Sequence, residues 1–443
     1  MIRGQGFGLS VTARLALVQR LARRREGQDV QAARDPRGFG GIQNLKDWGL
    51  VRDAMETLGL KSPFFRAHEG RAGARTVIAG RELINFGSYD YLGLNGDARL
   101  HAAAAGAMAR YGISASASRL VSGERPVHAA LEAALAAHYG AEAALAFVSG
   151  HATNVTLIGH LMSPRDAIVH DAAIHNSAVE GARLSGARRA AFAHNDLAAA
   201  ERELKAARAR GGGAQRVLLV VEGHYSMDGD VPDLAGFVRL ARQHDAWLMV
   251  DDAHGLGVVG ETGKGAFEAA GIDPSEVDIW MGTLSKTLCA CGGYVAARAE
   301  LIDWLRHTAP GFVYSVGLPP VLAASAHAAL EILQAEPWRV AKLQANARRL
   351  RDACRARGFD TGHSAGLGIV PVVLGSSVRA IRVSTALLER GANALPIIFP
   401  AVPEQAARLR FFLSAEHADA DIDAAADALV AAADSVPVAG DAG

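Results

Sequence analysis

Trp247-Leu248-Met249-Val250-Asp251-Asp252-Ala253-His254-Gly255 reads as a buried strand that ends in two acids and a histidine. An unbroken apolar run of this length marks a strand covered on both faces, as in parallel sheets. Acids at the end of such a strand lie at the carboxyl edge of the sheet, where α/β proteins bind their ligands. A carboxylate there can hold a ring nitrogen protonated, and a histidine three residues on can reach a ring hydroxyl. The same residues also suit a helix N-cap by Asp251 or Asp252 beside an incidental histidine.

Outward from this stretch, short β-rich runs alternate with alanine-rich helical ones, the sequence form of βαβ units and a mainly parallel sheet. Strands are expected at Ala143–Val148, Ala167–His170, Val217–Glu222, Trp247–Asp251, Asp278–Met281 and Gly293–Ala296. Helices are expected at His128–Tyr139, Leu197–Arg210 and Leu234–His244, with another around Leu45–Leu58. From about Leu330 a long helical region leads to a second α/β segment with strands Ile369–Leu374 and Leu409–Leu413 around a helix Val378–Arg390. The fold class is therefore α/β. The expected division is an N-terminal helical extension (1–62), a large domain (63–329) and a smaller C-terminal domain (330–443). The last dozen residues, small and polar, are expected to fray.

Three further stretches carry chemistry. Lysines are few, and Lys286 stands apart: it follows an apolar strand in Thr283-Leu284-Ser285-Lys286, with no charge from Leu288 to Gly293. A lysine in apolar surroundings has a depressed pKa and can act as a Schiff-base amine; a structural or surface role is the plainer alternative. Phe147-Val148-Ser149-Gly150-His151-Ala152-Thr153-Asn154 runs from a strand through small residues into a helix. Its free N–H groups suit phosphate, though a tight turn alone would also call for the glycine. In Asp171-Ala172-Ala173-Ile174-His175-Asn176-Ser177 the histidine can stack on a flat heteroaromatic ring.

The chain is 443 residues, with Lys+Arg and Asp+Glu both 46. That balance argues against a dedicated nucleic-acid binder, which needs a basic surplus. No uncharged apolar run approaches the roughly 18–20 residues of a membrane span. Cys289, Cys291 and Cys354 are too few to staple the fold and point to a reducing, cytoplasmic compartment. Arg3, Arg14, Arg20, Arg23, Arg24 and Arg25 all precede the first acid, Glu26. Such a segment suits a transit peptide, a membrane-surface helix, or a basic helix that packs on the protein or a partner.

Together these motifs resemble the α-oxoamine synthase family, fold type I enzymes that use pyridoxal 5′-phosphate (PLP). The resemblance runs from about Phe65 to His417. It rests on Asp90-Tyr91-Leu92-Gly93-Leu94, Glu222-Gly223-His224-Tyr225-Ser226-Met227-Asp228-Gly229-Asp230, Asp251-Asp252-Ala253-His254-Gly255, Thr283-Leu284-Ser285-Lys286 and Arg408-Leu409-Arg410. It implies that Lys286 holds the cofactor covalently and moves the Cα proton, while Asp251 pairs with the ring nitrogen. His254 would contact the ring hydroxyl and His175 would stack on the ring. Gly150, His151 and Thr283 would bind phosphate, with Ser226 also lining the cofactor. Arg410 would hold the amino-acid carboxylate. Ser315 would reach a neighbouring subunit's phosphate, which implies a homodimer with sites at the interface. No metal is implied.

The resemblance also implies a reaction: decarboxylative condensation of alanine, serine or glycine with an acyl thioester on coenzyme A or an acyl carrier protein. An α-aminoketone, CO₂ and a free thiol result. A PLP-dependent aminotransferase of the same fold is the alternative. Tyr89 stands where the family often has a substrate-binding Asn, His151 where Phe or Tyr is common, Val316 and Gly317 where Thr or Ser often follow the interface serine, and Ala401 where some members place a Thr. The N-terminal extension and the run Phe65–Gly70 resemble members linked to polyketide or fatty-acyl assembly lines, which favours a carrier-bound acyl chain.

Overall fold

The computed structural model describes residues 37–39, 42–209 and 215–436. The arginine-rich segment 1–30 lies outside the described residues. The strands in chain order are β1 (Arg75–Ile78), β2 (Arg81–Asn85), β3 (Ala143–Phe147), β4 (Ala167–Asp171), β5 (Arg188–Phe192), β6 (Val217–Glu222), β7 (Trp247–Asp251), β8 (Ile279–Thr283), β9 (Gly293–Ala297), β10 (Ile369–Val373), β11 (Ala392–Asn393), β12 (Leu395–Ile397) and β13 (Arg408–Phe412).

The largest sheet has the order β3-β9-β8-β7-β6-β4-β5. Only β9 runs against the others, pairing antiparallel with both β3 and β8. Its strands are buried on both faces because alternate side chains enter two separate cores. Leu218, Val220 and Met249 point to one side, Leu219, Val221, Leu248 and Val250 to the other. That two-sided burial is why β6 and β7 read as continuous apolar runs rather than alternating ones. Two smaller sheets, β10-β13-β12 and β1-β2-β11, complete the described strands.

On one face, the helix Gly150–Leu161 packs against the helix Asn176–Ser185. A Cβ at Gly181 would lie 2.7 Å from the Asn154 carbonyl oxygen, so the bare glycine lets the two backbones meet. This approach brings Asn154 beside Ser177, a contact the site depends on.

The expected strands and helices appear within a residue or two of their places. Four features differ, one being that the short strands β11 and β12 lie where no strand is expected. β5 was not anticipated: Arg188-Arg189-Ala190-Ala191-Phe192 is a largely exposed edge strand, and its two leading arginines hide it. The hairpin β1–β2 was missed for the same reason, its turn being made by Ala79 and Gly80 at φ 51° and 70°. The expected fraying fails for residues 432–436: the helix Asp419–Asp434 buries Ala432 and Ala433, and Val436 packs beyond it. The remaining terminal residues lie outside the described ones. No described helix is long and apolar enough to cross a membrane.

Candidate active site

A cleft of about 320 Å³ opens at the carboxyl edge of the large sheet, with β13 contributing Arg410 to its wall. It brings together Lys286, Asp251, His254, His175, Gly150, His151, Thr283, Ser226, Arg410 and Tyr89. Ser315 is not among them. It lies beside a separate small hollow near Arg119 and Gly317, where its hydroxyl donates to the Val316 carbonyl.

β7 delivers Asp251 to the cleft floor. Its Oδ2 accepts a hydrogen bond from Asn154 Nδ2 at 2.8 Å, and Oδ1 accepts from the Ala253 N–H at 3.1 Å. The Asn154 amide also donates to Ser177 Oγ at 2.9 Å, and Ser177 bonds His175 Nδ1 at 2.7 Å. One amide therefore orients the acid and, through Ser177, the histidine. Burial lowers the His175 pKa. His254 is also kept neutral by burial, with Nδ1 2.8 Å from the Tyr91 hydroxyl.

Lys286 follows β8 and faces the Tyr89 ring, its Nζ 5.9 Å from the centroid. Burial brings its pKa down to about 8, against the opposing pull of Asp251 and Glu222. The direction matches the sequence expectation, but the surroundings differ. Beyond its chain neighbours, the amine is enclosed in a cleft that it shares with Asp251, Glu222 and Arg410. Tyr89, 40% exposed, packs edge-on against Phe412 at 4.7 Å and stands at the cleft mouth.

Ser149 caps the helix Gly150–Leu161 by accepting from the Ala152 N–H. A Cβ at Gly150 would lie 2.9 Å from Thr283 Oγ1, so only glycine lets the helix start this close to β8. The Thr283 hydroxyl itself donates to the Gly292 carbonyl at 2.9 Å.

Arg410 Nη1 donates to the Ser226 carbonyl at 2.8 Å, and its Cζ sits 4.6 Å from the Phe412 ring centroid. Its Nε is buried without a partner. An unpaired buried guanidinium donor is costly, and the Arg410 side chain that carries it belongs to the cleft lining.

Glu222 and Asn154 are the residues that sequence reasoning passed over. Glu222 ends β6 directly beside Asp251 in register, and its Oε1 accepts from the His175 N–H at 2.6 Å. Burial, then the Asp251 charge, holds its pKa well above the carboxylate range. Of the two adjacent acids it is the one whose charge burial disfavours. The register of β6 against β7 was the only signal that could have paired them.

This donor set fits PLP. There is a buried amine of lowered pKa, an oriented acid, a glycine-started helix N-terminus for phosphate, and a guanidinium in the cleft lining. Among the described residues no cluster suits a metal ion.

Residues 81–429 match the family model described as aminotransferase class I and II. The 8-amino-7-oxononanoate synthase of Geobacter sulfurreducens is 41% identical over 392 residues, spanning 88% of this chain and 96% of that one. A Sphingomonas wittichii serine palmitoyltransferase structure matches with TM-score 0.84 at 30% identity, covering 90% of this chain and 100% of that one. A serine palmitoyltransferase from S. paucimobilis, described with a bound PLP–myriocin aldimine, matches with TM-score 0.85 at 29% identity over 89% of this chain and 99% of that one.

Proposed function

The chain belongs to the α-oxoamine synthases within aminotransferase class I and II, and from that premise we propose that it condenses a small amino acid with an acyl thioester to give an α-aminoketone, CO₂ and a free thiol. Pyridoxal 5′-phosphate is the cofactor. The observation that carries the reading is the convergence of Lys286, Asp251 and Arg410 on one cleft.

When bound, the cofactor supplies an electron sink for the amino acid's α carbon. Lys286 would hold it and would remove and return the α proton, a task suited to an amine of pKa near 8. Asp251, fixed by Asn154 and Ala253, keeps a proton on the ring nitrogen. His175 would cover the ring face and neutral His254 would meet the ring hydroxyl. The N-terminal amides of Gly150 and His151 hold phosphate. Arg410, in the cleft lining, takes the substrate carboxylate and orients the bonds broken at the α carbon.

Alanine or serine is the favoured amino acid. Ser114-Ala115-Ser116-Ala117-Ser118 carries none of the glycines the related glycine-using enzymes place there. A carrier-bound acyl chain is the favoured donor. The protein acts as a cytoplasmic homodimer in which Ser315 reaches the partner's phosphate, and the chain divides at 62/63 and 329/330. A matrix of amino acids against acyl-coenzyme A and acyl-carrier thioesters, read by mass spectrometry, tests the reaction. Thiol release with a mass-matched aminoketone supports it; amino transfer to a keto acid without thiol release replaces it with an aminotransferase.

A further inference from the structure

Behind the cleft wall lies a charged bridge that the reaction above does not use. His194, just past β5, has Nδ1 2.9 Å from Asp171 Oδ1 and Nε2 2.9 Å from Asp230 Oδ2. With both ring nitrogens facing carboxylates, both must donate, so the ring carries a proton. The bonds to Asp171 and then Asp230 push its pKa up to about 10. Asn195 doubles the bridge: its N–H donates to Asp171 Oδ2 at 2.8 Å and its Nδ2 to Asp230 Oδ2 at 2.7 Å.

The two acids belong to the two loops that flank the cleft. Asp171 ends β4, and its Oδ1 also accepts the Ala173 N–H in the turn leading to His175. Asp230 closes the loop after β6, its carbonyl accepting the Tyr225 N–H at 3.0 Å and bonding His224 Nδ1 at 3.0 Å. Within that loop the Ser226 carbonyl accepts from Arg410 Nη1, while the Met227 carbonyl and Asp228 accept from Arg408. Tyr225 packs edge-on against the His194 ring at 4.5 Å.

We propose that His194 is a positioning residue for the amino-acid carboxylate: by bridging Asp171 to Asp230 it fixes the loop whose Ser226 carbonyl aims the Arg410 guanidinium. The inference rests on the functional reading above. A misaimed guanidinium weakens ligands that carry a carboxylate and leaves simple amines alone. A bridge that only stabilises the fold would not discriminate between them.

The test titrates the holoenzyme with L-alanine and L-serine, and with ethylamine and ethanolamine, which lack the carboxylate. Binding is followed by the visible cofactor band. In His194→Gln the amino-acid dissociation constants should rise about tenfold, the amine constants staying within about twofold, since one charge-assisted contact is loosened and not lost. The turnover at saturation should fall less than kcat/KM. Equal weakening of both ligand classes, or of neither, overturns the proposal. Asp230→Asn, which removes the other end of the bridge, should give the same split. If neither variant folds with cofactor, the bridge is structural and the proposal fails. A wild-type band that no amine moves overturns the functional reading itself, and this inference with it.

Discussion

Lys286 is a base whose pKa burial draws down to about 8, and an amine attacks an aldehyde only when unprotonated. The sign is set by that value: below it the amine is mostly charged, above it mostly free. The rate at which cofactor-free protein captures pyridoxal phosphate should therefore climb about tenfold per pH unit below pH 8 and level off above it. Stopped-flow absorbance reads this directly; a rise that continues unchanged to pH 10 would show an ordinary lysine. Borohydride reduction and peptide mapping should place the label on Lys286. Asp251 makes a second prediction. An amide in its place keeps the bonds from Asn154 or Ala253 in part, but cannot stabilise a protonated ring nitrogen. Asp251→Asn should retain cofactor and lose at least about a hundredfold in turnover, ~2.7 kcal/mol of barrier. Near-normal turnover in that variant would hand the role to another acid.

At the scale of elements, the turn after β7 is built around Asp252. Cβ atoms at Gly223, Gly255 and Gly265 would fall 2.1, 1.8 and 2.2 Å from its carboxylate oxygens. Three glycines thus make room for one fully buried acid, which takes the Tyr139 hydroxyl at 3.2 Å. Burial raises its pKa to about 8. An acid held protonated in the folded chain but ionised in the unfolded one costs stability progressively as pH rises from about 4 to about 8. Asp252→Asn should remove that cost, so its melting temperature relative to wild type should improve between pH 5 and pH 8. A constant offset across that range would refute the buried-acid account. Asp252 was visible in the sequence only as a neighbour of Asp251, because what confines it comes from the loop after β6 and from distant parts of its own loop. β6 and β7, by contrast, were legible because both faces of each strand are covered. Lys286 and Asp251 were legible as punctuation at strand ends. Glu222 and Asn154 were not: one looks like any strand terminus and the other like any helix interior, and each gains its role only from a neighbouring element's register. Arg410 came from motif resemblance alone, since nothing local ties β13 to a cleft at the end of the large sheet.

At the scale of the whole molecule, Ser315 is absent from the lining of the cleft its own chain forms, and exposed Leu120, Val121, Tyr314 and Val316 lie on two segments joined by the Gly317 N–H to the Ala117 carbonyl. Exposed apolar side chains of this kind are what the proposed homodimer would cover. Val121→Glu with Val316→Glu should turn a dimer into a monomer by light scattering and lower cofactor retention. A monomeric wild type, or a monomeric variant that keeps cofactor undiminished, would place Ser315 outside the site. The condensation itself is tested most directly by a carboxyl-labelled amino acid. Mixed with an acyl thioester and the holoenzyme, ¹³C-carboxyl alanine or serine should release labelled CO₂ and free thiol in equal amounts, with neither formed when one substrate is omitted. Thiol without labelled CO₂, or retention of the label in a keto-acid product, would contradict the account.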